Sequence, residues 1–183
     1  GEELFDHGGF SHGFTLHREV LNVPLYLRLP HGEGPATIDR PVSTLDIVPT
    51  VLELAGLPAS EHGLDGHSLL SDPSALPADR VLVQHTAWAK RAEGLSLIRG
   101  SDHLIDLAQS YDTPDPRTSL YDLDFDRDEH HDLAVSEEGR VVSLRGRLEK
   151  RVAELSNGIG FEEPENVLAE MDVEMLRALG YVE

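Results

Sequence analysis

Residues 94–107, GLSLIRGSDHLIDL, decide the architecture. Two short apolar runs, GLSLIRG and HLIDL, meet at Gly100, Ser101 and Asp102, a grouping that suits a hairpin turn between two strands. Working outward, RVLVQH from Arg80 supplies a strand before this pair. TSLYDLDF, residues 118–125, supplies a fourth after it, with Leu120 on one face and Tyr121, Leu123 and Phe125 on the other. A sheet of this kind needs a cover. In residues 137–156, Val141, Leu144, Leu148, Val152 and Leu155 recur at spacings of three and four and give a one-sided helix. A last helix is expected over VEMLRALG, capped by Asp172 and stopped by Gly180.

The first half has another character. Residues 1–17 read as a loop, with Gly1, Gly8, Gly9 and Gly13 among His7, His12 and His17 and no sustained period. TLHREVLN suits a short helix, and VPLYLRLP, residues 23–30, a strand that alternates Val23, Leu25, Leu27 and Leu29 with Tyr26 and Arg28 before Pro30 and HGEGPA. In STLDIVPTVLELAGLP, Ser43 is the N-cap with Asp46 three residues on. Leu45, Val48, Leu52 and Ala55 form its apolar stripe, and Gly56 and Pro58 stop it. The chain is therefore α/β: the end of a larger sheet over residues 1–72, a linker at 73–79, a small antiparallel sheet with its helix at 80–156, and a helical tail at 157–183.

Composition excludes several functions. The formal charge of −19 repels nucleic-acid phosphates and leaves no basic stripe to offset it. With no cysteine, these residues hold no disulfide, thiolate metal site or cysteine nucleophile. No apolar run approaches the roughly 18 residues of a membrane span.

Individual motifs are weak. DLDFDRDE alternates Asp122, Asp124, Asp126 and Asp128, but an EF-hand loop started there would place Arg127 where glycine is required and Leu133 where glutamate is required. The adjacent His130 and His131 lack the zinc-protease spacing, and Ser11 beside His12 cannot make a triad. The grouping of His7, His12 and His17 with close glycines is the stronger signal, because glycine lets backbone approach a ligand and imidazole can bind a metal or donate to an oxyanion.

Taken in order, GEELFDHGGFSHGFTLHREVLNVPL, RPVSTLDIVPTVLELAGLP, LDGHSLL, LSLIRGSDHLIDL, SLYDLDFDRDEHHDLA and LRALGYVE resemble the C-terminal third of the sulfatases, within the alkaline phosphatase superfamily. The resemblance implies the end of an alkaline-phosphatase-like mixed sheet followed by a small antiparallel subdomain. It implies a hydrolase of sulfate monoesters, small-molecule or glycan, using one divalent cation, calcium, and a formylglycine made from an upstream Cys or Ser. Gly1 and Glu2 resemble the last two residues of a Ser-Asp-His-Gly-Glu segment, so the metal-binding Asp and His are expected just before Gly1 and no metal ligand is expected within the chain. His12 stands where the family places a Lys or His that contacts the ester oxygens, and His7 is assigned to the same pocket. His17 is assigned to packing or surface. The nucleophile would lie upstream, so residues 1–183 alone would be inactive and would need the N-terminal catalytic part of the same protein. Export to the periplasm or outside the cell is the family's habit. A phosphoester or phosphonate hydrolase of the same superfamily is one alternative, and a non-catalytic assembly domain is another.

Overall fold

The structure, a computed structural model, describes residues 1–29, 32, 37–58, 63–70, 76–77, 79–88, 92–109 and 116–158. In chain order these form β1 (Glu3–Leu4), β2 (Phe10–Ser11), α1 (Arg18–Leu21), a 3-10 turn at Thr44–Asp46, α2 (Ile47–Leu54), β3 (Val81–Trp88), β4 (Ala92–Arg99), β5 (Asp102–Gln109), β6 (Arg117–Asp122) and α3 (Glu138–Gly158). Two units divide the chain, Gly1–Leu148 and Glu149–Glu183.

In the first unit, β3 to β6 form one antiparallel sheet in sequence order. Its centre is the predicted hairpin. Arg99 pairs with Asp102, so the connection is Gly100–Ser101, and Gly100 has a φ of 59°, as the first position of a type II′ turn requires. Register then fixes both faces by the two-residue period. Leu97 sits opposite Leu104, which sits opposite Leu120, and all three are fully buried. On the same face Asp102 and Asp122 bind Arg140, and Asp106 takes both Arg145 Nε (2.8 Å) and Nη2 (2.7 Å). That face is therefore the one α3 covers, with Val141, Leu144 and Leu148 buried at the predicted helical spacing.

The opposite face carries His103, Ile105 and Leu107 of β5, with Tyr121 of β6. It is covered from the N-terminal side, where Leu16 joins Ile105, Leu107 and Tyr121 in one apolar cluster with Leu21 packed against it. Each fully buried leucine of this kind contributes about 1.5–3 kcal/mol relative to exposure.

Three expectations change. TSLYDLDF leaves the sheet at Asp122, whose carbonyl accepts from the N–H groups of Phe125 and Asp126 in a turn, and Phe125 is 92% exposed. VPLYLRLP forms no strand over its described residues 23–29: a strand needs a hydrogen-bonded neighbour, and none is paired to it among the described residues. The Ser43–Asp46 capping box forms as expected, but the turn and α2 bury Asp46, Pro49 and Thr50, while Leu45, Val48 and Val51 are exposed. Asp46 wins the interior because it is fully paired: it accepts from Ser43 N (2.8 Å), His67 N (2.8 Å) and both Nη atoms of Arg80 (2.7 and 2.5 Å). The second unit's described residues continue α3, with Lys150 and Arg151 flanking Glu154. Residues 73–75 and 78 of the expected linker, and the helix expected at 173–180, lie outside the described residues.

Candidate functional site

The glycine-rich loop before α1 folds as a small hairpin. Glu3 pairs with Ser11 and Leu4 with Phe10, and Phe5 N donates to Gly9 O (2.8 Å). Glu3 is buried at 2% exposure and holds the loop from within: Gly9 N donates to Oε1 (2.8 Å) and Thr15 Oγ1 to Oε2 (3.0 Å). A Cβ at Gly9 would stand 2.8 Å from that carboxylate, so a larger residue there would displace the Glu3 side chain. Ser11, immediately before His12, has a φ of 86°, a left-handed conformation rare outside glycine and concentrated at working sites.

His12 projects from this loop with its side chain 55% exposed, and its Nδ1–H donates to Glu2 Oε1 at 2.7 Å. A carboxylate only accepts, so the bond orients the ring and sets which nitrogen carries the hydrogen.

His7 takes a different place. Its Nδ1 lies 2.7 Å from Glu19 Oε1, its Nε2 donates to the backbone oxygen of Glu129 (3.0 Å), and its ring stacks on that of His17 at 3.8 Å and 3°. Burial pushes its pKa down, but the Glu19 carboxylate and the Glu129 carbonyl outweigh that and hold it above the usual histidine value. Both ring nitrogens of His7 are thus committed to partners within the chain.

His17 is buried rather than superficial, and with it comes a residue the sequence did not mark. Glu129, 1% exposed, accepts from His103 Nδ1 (2.5 Å) on Oε1, and from His17 Nδ1 (2.9 Å) and Arg18 N (3.0 Å) on Oε2. Burial would raise its carboxyl pKa, yet the bonds from His103, His17 and Arg18 lower it to about 2. Glu129 itself sits at a φ of 57°, a conformation costing about 1 kcal/mol or more for a non-glycine residue, which this network offsets. A signal for it existed in β5. His103 shares a strand face with Ile105 and Leu107, and a polar side chain on an apolar face requires a buried partner.

His7, His17 and Glu129, and separately Glu3, His7 and Glu19, each offer ligand atoms within 4.8 Å of one another. Neither group fits calcium, which takes about six to eight oxygen ligands. The first is also ill-shaped for a transition metal. An ion lies in the plane of each imidazole that binds it, and two rings stacked 3° from parallel cannot both point at one ion.

No family model matches the chain. Over 89 residues it is 41% identical to arylsulfatase K of Danio rerio, a match covering 49% of this chain and 16% of that protein. Over 71 residues it is 34% identical to the uncharacterized sulfatase YidJ of Escherichia coli (strain K12), covering 39% of this chain and 14% of that one. Among solved structures, BT4656 in complex with its substrate D-glucosamine-2-N,6-O-disulfate superposes with a TM-score of 0.51 at 18% identity, over 67% of this chain and 25% of that one.

Proposed function

We propose that this sulfatase-like chain serves a hydrolase of sulfate monoesters and that His12 contacts the ester's oxygens. The observation that carries the reading is the similarity to two proteins named as sulfatases, reached independently of the fold. The site's geometry is consistent with it. Negative charge builds on the sulfate oxygens as the ester bond breaks, and an oriented donor aimed at that charge lowers the barrier. Glu2 orients the His12 ring through Nδ1, and an imidazole N–H is a donor of the kind such an oxyanion takes. Glu3, Gly9 and the left-handed Ser11 fix the backbone that carries it.

The resemblance to sulfatases assigns the nucleophile, a formylglycine, and a calcium ion to residues outside 1–183; among the described residues neither candidate metal group fits calcium. Those groups would supply the attacking oxygen and polarise the sulfate; the part of residues 1–183 in this reading is to position His12 through its loop. A sulfated sugar is the substrate class suggested by the ligand of BT4656.

The test is a comparison of matched aryl sulfate and aryl phosphate esters with the native polypeptide, beside residues 1–183 alone. Sulfate ester turnover by the native protein, with none by residues 1–183, is the expected result. A preference for the phosphate ester would move the reading to phosphoester hydrolysis, and turnover of neither would leave an assembly domain.

A further inference from the structure

Loop residues 7–18 are fastened to the sheet by Leu16 in the apolar cluster and by polar groups, most of which converge on one residue. The alternation that puts His103 of β5 on the face opposite α3 also puts Thr86 of β3 there, through the pairs Thr86↔Gly94 and Ser96↔Ile105. From that face Thr86 Oγ1 donates to Gly13 O at 2.5 Å, one residue after His12. His103 reaches Glu129, whose second oxygen takes His17 and Arg18 N and whose carbonyl takes His7. The loop is thus held at His7, Gly13, His17 and Arg18, with His12 inside the span.

We infer that Glu129 is the positioning residue of the His12 loop: through its carboxylate and its carbonyl it fixes the loop's two ends on the sheet face carrying His103. The inference rests on the sulfatase reading only for what His12 does; the fastening stands on its own geometry. It also predicts a specific rearrangement. Three N–H groups, from His103, His17 and Arg18, point at two oxygens that only accept. In Glu129→Gln the oxygen must stay toward Arg18, because a backbone N–H cannot change sides. The new NH2 then faces His103 Nδ1, which must become an acceptor and move its hydrogen to Nε2. No donor among the described residues meets that hydrogen at the far edge, where His103 Nε2 is buried without a hydrogen-bond partner.

The test uses the native polypeptide with Glu129→Gln and Glu129→Ala, read by amide exchange, by nitrogen resonances of labelled histidine and by steady-state kinetics. Exchange of amides 8–18 is expected to speed by about tenfold or more in Glu129→Ala, with amides of β4 and β5 changed far less, and to be intermediate in Glu129→Gln. In Glu129→Gln the His103 hydrogen is expected to move from Nδ1 to Nε2. For sulfate ester hydrolysis, kcat is expected to fall about 10- to 100-fold in Glu129→Ala with a much smaller change in KM, because displacement of His12 costs the transition state more than the bound substrate. Should Glu129→Ala not fold, Glu129→Gln decides through the tautomer and the loop amides. Unchanged loop exchange, or a His103 hydrogen that stays on Nδ1, would overturn the inference. A native protein inactive on sulfate esters but showing the exchange and tautomer changes would sink the sulfatase reading and leave the fastening intact.

Discussion

Asp46 shows how one residue can cost more to remove than any apolar neighbour. It has 0% exposure and takes a bidentate bond from Arg80, whose side chain is itself 11% exposed, so removing the carboxylate strands a buried cation and two backbone N–H groups. Burial opposes its ionisation, but Arg80 with the His67 and Ser43 N–H groups holds its pKa below the usual carboxylate range. Asp46→Ala is expected to destabilise the protein by about 3–5 kcal/mol, measured by denaturant unfolding. A loss under about 1 kcal/mol would mean the pair is solvated in solution. Part of this site was legible, because Ser43 and Asp46 stand at capping-box spacing. The remainder was not, because Arg80 and His67 come from far along the chain and no local spacing announces them. The same limit hid Glu129, which joins His17 across 112 residues, whereas the Glu2–His12 contact spans only ten.

At the scale of elements, the hairpin and its cover follow from the sequence because their information is local. Residues 94–107 carry a turn glycine between alternating runs, and Val141, Leu144 and Leu148 carry the helical stripe. VPLYLRLP and α2 depart because an apolar period alone does not report burial: Val23, Leu25, Leu27, Val48 and Val51 stay exposed among the described residues. The register makes a direct prediction. Leu104 is fully buried between Leu97 and Leu120, so Leu104→Ala is expected to cost about 2–5 kcal/mol by denaturant unfolding, whereas Val142→Ala, at a 69% exposed position of α3, is expected to cost less than about 0.5 kcal/mol. Equal effects at the two positions would contradict the assigned faces.

For the whole molecule, charge and ionisation set a stability window. Glu129, at about 2 in the fold against 4.5 unfolded, contributes stability that is present above pH 4.5 and is lost as pH falls toward 2; Asp46 and Asp106, also lowered, lose theirs in the same direction. His7, raised above 6.5 in the fold, contributes stability that is complete below pH 6.5 and is lost as pH rises through its folded value. Thermal unfolding should therefore peak between pH 4.5 and 6.5, and His7→Gln should flatten the alkaline side of that peak while leaving the acid side; an unchanged profile would show that His7 does not titrate as assigned. Of these groups, Glu129 and His7 hold the loop that presents His12. The most direct test of that claim is kcat/KM for a sulfate ester in the native polypeptide with His12→Ala. A loss on the order of 100-fold or more, partly restored by His12→Lys, is predicted for a group that donates to the developing oxyanion; a value within about twofold of the native protein would contradict the assignment of His12 to the ester oxygens.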